Sequence, residues 1–165
     1  MANKFFVSPS PHIHGEQTTQ KIMADVIIAL LPALCVSTVV YGWGVLLLTA
    51  IAVASCVLFE FLFQKLCKRE VTVGDLSAVV TGMLLAFNLP VGIPIWQAVF
   101  GCLVAIVAVK QLFGGIGKNF ANPAITARVV MTISFAGTMT NFATSADAVS
   151  SATPLALMGT EKMPS

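Results

Sequence analysis

Apolar and polar positions alternate along this chain in long blocks. Residues 1 to 21 form a polar lead with turn chemistry at Pro9, Pro11 and Gly15, closing on Thr18-Thr19-Gln20-Lys21, a helix-start pattern. An apolar run from Ile22 to Val40 predicts a first helix, and Pro32 inside it predicts a kink of the kind membrane helices tolerate. Tyr41-Gly42-Trp43-Gly44 reads as a turn with two aromatics suited to a headgroup boundary, and a second helix follows from Val45 to Phe63. Both runs approach the ~20 residues that span hydrocarbon, which predicts a helical hairpin. A charged loop with Lys65, Lys68, Arg69 and Glu70 comes next, and Gly74-Asp75 opens a run from Leu76 to Phe87. At 1.5 Å per residue that run covers only ~18 Å. It is expected to stop partway or to be completed by the irregular Asn88-Leu89-Pro90-Val91-Gly92-Ile93-Pro94. A helix over Ile95 to Val109 is also short unless Lys110 snorkels from its end. After the glycine-rich Gly114-Gly115-Ile116-Gly117-Lys118-Asn119-Phe120-Ala121-Asn122-Pro123-Ala124, a last apolar segment, Ile125 to Ala136, is too short to span alone. Such broken segments are where membrane proteins build binding sites.

Composition supports the same class. The chain is 57% hydrophobic and 10% charged with a mean hydropathy of +0.91, against ~25% charged in soluble domains. The expected fold is an all-α integral membrane bundle with short and broken helices. No cleavable signal peptide is expected, because the first apolar run follows some twenty polar or mixed residues. A net charge of +2 without a basic, aromatic-interleaved stretch sets nucleic acid aside. Cys35, Cys56, Cys67 and Cys102 are scattered without CxxC spacing and read as packed thiols, and His12 and His14 as surface residues of a terminal segment.

Loop charge predicts orientation. Lys4 and Lys21 precede helix one, Lys65, Lys68 and Arg69 follow helix two, and Lys110 and Lys118 follow helix four, while 41–44 and 88–94 carry no charge. Positive-inside reasoning makes 1–21 cytoplasmic, 22–136 the transmembrane domain and 137–165 an outer-face loop. A re-entrant short segment would reverse that last placement. The lack of Lys and Arg between Arg128 and Lys162 favours the outer face.

Chemistry enters in that loop. In Asp147-Ala148-Val149-Ser150-Ser151-Ala152-Thr153-Pro154-Leu155-Ala156 an acid stands six residues before a threonine, with small residues between them that let backbone enter another enzyme's active site. This looks like a site where a flavin transferase esterifies FMN to Thr153, with Asp147, Ser150, Ser151 and Ala152 as its recognition residues. The same composition also suits a plain exposed loop. Arg128 is a candidate for the flavin phosphate or a charged partner group, or a snorkelling helix-end residue. Asp25 and Glu60 lie in apolar runs, where carboxylates are functional candidates by default, although Asp25 sits at a helix N-terminus and Glu60 near a cytoplasmic end. Asn88, Asn119 and Asn122 adjoin helix breaks and suit capping, or amide contacts to a ring or ion.

A family emerges from several motifs in order. Ser8-Pro9-Ser10-Pro11-His12-Ile13-His14-Gly15, Gln17-Thr18-Thr19, Met23-Ala24-Asp25-Val26, Leu31-Pro32-Ala33, Gly74 through Gly82, Asn88-Leu89-Pro90, Gly114 through Ala124 and the Thr153 motif resemble the family of Rnf electron-transport D subunits and sodium-pumping NADH:quinone reductase B subunits. The resemblance implies a flavoprotein subunit, with covalent FMN on Thr153, of a translocase passing electrons between ferredoxin and NAD and moving Na+ or H+. It implies as partners another flavin-bearing subunit, membrane subunits holding an iron–sulfur centre, a flavin transferase for maturation, and lipid of a bacterial or archaeal inner membrane. It also implies a urea-transporter-like fold of two inverted halves, of which this sequence corresponds to the first. Ser151 stands where the family often has glycine, a small change that keeps Thr153 plausible as acceptor. The rival reading is a urea- or water-type channel, from Asn122-Pro123-Ala124 opening a half-helix.

Overall fold

The computed structural model describes residues 18–69, 71–119, 121–140, 142–143 and 150–151. Helix α1 spans Thr19–Tyr41, and the Thr18 hydroxyl caps it by accepting the Lys21 N–H at 3.3 Å. Pro32 does not break it, and Ser37 and Thr38 both donate to the Leu34 carbonyl one turn earlier. Gly42 ends α1 with φ 81°, a left-handed conformation that favours glycine, and its N–H returns to the Thr38 carbonyl at 2.9 Å. Helix α2 starts at once, Trp43–Leu66. With 23 and 24 residues, α1 and α2 are long and apolar enough to cross a membrane, at about 34 and 36 Å.

A single turn at Val73–Asp75 and a left-handed Leu76 (φ 59°) lead into α3, Ser77–Phe87. Leu76 therefore lies outside the helix that its hydropathy suggests. After the irregular 88–94 stretch comes α4, Ile95–Leu103, continued by a π-helical segment, Val104–Gln111. The Leu112 N–H closes that segment on the Val107 carbonyl, the i→i+5 spacing of a π turn. Helix α5 covers Pro123–Ser134 and a short α6 covers Ala136–Met139. Strands β1, Phe142–Ala143, and β2, Ser150–Ser151, pair antiparallel with Phe142 opposite Ser151. The segment expected to be a loop from residue 137 thus begins with helical and paired structure. The described chain is otherwise all α.

Contacts at the helix ends show that consecutive helices run in alternating directions. At one end, Gly44 approaches Val91, Thr138 donates to Gln97 at 2.8 Å, and Phe135 stacks edge-on against Trp96 and Phe100 at 5.2 and 5.8 Å. At the other, Gln64 meets Thr72, Glu60 meets Lys110, and Arg69 donates to the Gln111 carbonyl. These are called the Gly42 end and the Arg69 end below.

The core is built from small residues. Ala52, Cys56, Ala78, Ala98, Cys102, Ala105, Ala124 and Ala127 are buried, filled out by Leu85, Ile106 and Met131. A methyl added at Gly82 would lie 2.8 Å from the Val53 Cα, so α2 and α3 touch backbone to backbone. Membrane helices associate through such close approaches, since lipid gives little hydrophobic drive between them. Helix α1 has no buried residue, and Ile28, Leu31, Val36 and Val39 point outward. Two cysteines match the packed-thiol expectation, Cys56 and Cys102, whereas Cys35 and Cys67 are exposed.

Candidate functional site

Two polar constellations sit at opposite ends of the bundle. At the Arg69 end the core closes over an ion pair. The Lys110 ammonium lies 2.8 and 2.9 Å from the two Glu60 oxygens and also donates to the Ser77 hydroxyl. Gln111 donates to the same carboxylate at 2.8 Å, and Gln64 reaches it at 3.4 Å. Gln64 also receives the Thr72 N–H and donates to its hydroxyl, tying the 66–77 connection to α2. Both charged residues are 1% exposed. The short helix expected to end near Val109 with Lys110 snorkelling instead continues to Gln111, and Lys110 turns inward because Glu60 is there to meet it. The π turn matters here, since a wider turn narrows the angle between successive side chains and lets Lys110 and Gln111 both face Glu60. Sequence reasoning singled out Glu60 but missed its partners. The available signal was a Glu-x-x-x-Gln face on α2 and a lone lysine after an unbroken apolar run.

At the Gly42 end, Arg128 projects from the middle of α5 and donates through Nη1 to Asn88 Oδ1 at 2.7 Å. Asn88 also donates through Nδ2 to the Leu84 carbonyl at 2.7 Å, capping the broken end of α3. Arg128 is half-buried and faces no carboxylate among the described residues. With Asn88, Ser37 and Tyr41 it lines a cavity of about 410 Å³ whose remaining wall is apolar, including Val45, Leu48 and Leu89. That volume falls in the range of small-molecule sites, which combine apolar walls with a few placed polar groups. A snorkelling role at a helix end does not describe Arg128, which is anchored inside the bundle.

The remaining predicted residues are dispersed. Asp25 is exposed on α1. Asn122 caps α5, its Oδ1 accepting from the Ala124 N–H at 3.0 Å and the Ile125 N–H at 3.4 Å, with Pro123 at the first helical position. The Asn-Pro-Ala tripeptide thus has a local structural account. Asn119 Oδ1 is buried without a partner among the described residues. Ser150 and Ser151 form β2, which pairs with Phe142 and Ala143. Asp147, Ala152 and Thr153 lie outside the described residues.

A family model described as "NQR2, RnfD, RnfE family" matches residues 6–164. The D subunit of the Na(+)-translocating ferredoxin:NAD(+) oxidoreductase complex of Acetobacterium woodii is 53% identical over 154 residues, which cover 92% of this chain and 48% of that protein. The D subunit of the ion-translocating oxidoreductase complex of Aliivibrio salmonicida is 41% identical over 140 residues, 84% of this chain and 40% of that protein. Its namesake from Escherichia coli O7:K1 is 39% identical over 140 residues, with the same coverage. The chain spans about half the length of the curated relatives it matches.

Proposed function

The chain belongs to the NQR2, RnfD, RnfE family, and from that premise we propose that it acts as a flavin-bearing membrane subunit of an Rnf-type complex coupling ferredoxin:NAD oxidoreduction to Na+ or H+ translocation. The observation that carries this reading is the family match, which runs through the Asp147 to Thr153 motif. In this reading Thr153 holds FMN through a phosphodiester, and Asp147, Ser150, Ser151 and Ala152 are read by the flavin transferase that installs it. The Thr153 hydroxyl attacks a phosphorus of an activated flavin-phosphate donor, its proton is lost and the donor's leaving group departs from that phosphorus, while the small residues before it suit entry into the transferase. When bound, FMN links two-electron and one-electron carriers, while the protein supplies position and electrostatics. The residues at the Gly42 end fit such a group, because an arginine without a carboxylate partner among the described residues lines a ring-sized cavity there. The proposed orientation puts the Arg69 end, with its Lys and Arg residues, in the cytoplasm and the Gly42 end, with Thr153, on the outer face of the inner membrane. Partners in this reading are the other Rnf-type subunits, one bearing flavin and others an iron–sulfur centre.

The test is in-gel flavin fluorescence after denaturing electrophoresis of protein from its native source, beside Thr153→Val. Fluorescence that survives denaturation and is lost in the variant is the expected result. A dark wild-type band from cells that contain the transferase would overturn the covalent-flavin reading.

A further inference from the structure

A second cavity, of about 240 Å³, opens at the Arg69 end, and its walls include Gln64, Arg69, Thr72, Asp75, Gln111 and Ile116. Gln64 and Gln111 also bond the buried Glu60 carboxylate, so the cavity abuts the outer side of the Glu60–Lys110 pair. Two of its walls carry opposite charges that do not meet. Among the described residues Arg69 pairs with no carboxylate and Asp75 with no cation. Arg69 is nevertheless held in place, because its Nη1 donates to the Gln111 carbonyl at 3.0 Å and its guanidinium lies over the Phe63 ring at 5.8 Å. Its other N–H groups remain for a ligand. Beside it the Thr72 hydroxyl accepts from Gln64 at 2.8 Å and keeps its own proton to donate. The site therefore presents fixed donors with a positive charge and, on Asp75, an acceptor with a negative one. A molecule that answers both carries an anion and a protonated amine close together. A phosphate suits the guanidinium fork, and a primary ammonium suits the carboxylate.

Placement decides where such a molecule comes from. Helix α2, at 24 residues and about 36 Å, exceeds the ~30 Å of hydrocarbon, so the cavity beyond its Leu66 end lies at headgroup depth. Lys65 rests over the Phe61 ring at 5.7 Å, and Lys21, Lys65, Lys68 and Lys118 are exposed at the same end, where positive charge favours phosphate-bearing lipid. Leu66, Leu112 and Ile116 are exposed there as well, and supply apolar surface for acyl chains. The volume is below the ~300 Å³ at which drug-sized sites begin, which fits a small headgroup with its tails outside. We propose that this cavity binds the headgroup of a phospholipid with a primary amine, phosphatidylethanolamine, its phosphate on Arg69 and Thr72 and its ammonium on Asp75. The bound lipid closes the outer side of the Glu60–Lys110 network. This inference rests on α2 crossing the membrane and is independent of the flavin reading.

The test is native mass spectrometry of the full-length chain in nonionic detergent. The chain is titrated with dioleoyl phosphatidylethanolamine, phosphatidylglycerol and phosphatidylcholine, and separately with water-soluble O-phosphoethanolamine. Phosphatidylethanolamine is expected to bind about five- to tenfold tighter than the other two lipids, the factor for one added charge contact at a membrane surface. Asp75→Asn should abolish that preference without weakening phosphatidylglycerol, since the carboxylate holds no other group. Arg69→Gln should weaken all three lipids by a similar factor. Because Arg69 also ties down the Gln111 carbonyl, Arg69→Lys serves as the companion variant that keeps the charge, and should retain the preference for phosphatidylethanolamine. Equal wild-type affinity for phosphatidylethanolamine and phosphatidylglycerol, or a preference that survives Asp75→Asn, would overturn the assignment. O-phosphoethanolamine binding as tightly as the lipid would overturn the lipid source and give the cavity to a soluble zwitterion.

Discussion

Removing the Lys110 side-chain charge tests whether the Arg69 end is held by a paired charge or by packing alone. In Lys110→Met the methylene stem is kept and the ammonium is lost, so Glu60 keeps Gln111 at 2.8 Å and Gln64 at 3.4 Å but loses both of its ionic contacts. Breaking a buried pair by deleting one partner costs about 3 to 5 kcal/mol, because the other charge stays buried and uncompensated. Both groups are 1% exposed, so solvent does not rescue the remaining one. In Glu60→Gln/Lys110→Met the neutral amide can still bond Gln111, and replacing a whole buried pair is often nearly neutral. The double variant is therefore expected to lie closer to wild type than either single one, with a coupling energy of about 2 kcal/mol or more. The assay is denaturation of the detergent-solubilised full-length chain, followed by the fluorescence of Trp43 and Trp96 and completed as a double-mutant cycle. If Lys110→Met is as stable as wild type, or the two single losses simply add, the ion pair does not hold this end.

Further variants probe the packing and the breaks. Gly82→Ala should destabilise by about 1 to 3 kcal/mol through overpacking, because the added methyl meets the Val53 backbone at 2.8 Å, whereas Gly74→Ala, with no atom within 4 Å, should leave the same denaturation midpoint unchanged. A fall of similar size in both would show that the close α2–α3 approach is not responsible. Asn122→Ala removes the cap from α5 and should cost about 1 kcal/mol, with Asn122→Asp retaining most of it; equal midpoints for all three proteins would refute the capping role.

Much of the helix pattern could be read from hydropathy, because α1, α2, α3 and α5 are mostly apolar with few polar or charged positions inside them. Their ends were harder. Thr19 and Trp43 extend helices beyond their apolar cores, since capping by Thr18 and the tight Gly42 turn recruit polar and aromatic residues. Asn122-Pro123 announced its helix start because asparagine caps and proline suits the first turn. What stayed hidden depends on long-range pairing. Nothing near Lys110 in sequence says that its counter-ion lies 50 residues earlier, and nothing near Arg128 names Asn88, 40 residues away. A lysine after an apolar run looks like a terminus until the opposing helix is placed. The Asp147 to Thr153 stretch, by contrast, was readable only as a candidate motif, and the structure adds the pairing of Ser150 and Ser151 with Ala143 and Phe142.

The unequal helix lengths carry a consequence for biogenesis. With the topology proposed here, α1 and α2 are each able to leave the translocon for lipid as they emerge, and α1 buries nothing in doing so. Helix α3, about 16 Å long, would strand both of its unpaired termini in hydrocarbon if it entered alone. Its Gly82 face must find the Val53 backbone first. Helix α2 therefore serves as the template on which the half-length helices are admitted to the bilayer, and a defect at its small-residue face should appear first as failed insertion rather than as a badly packed but inserted protein.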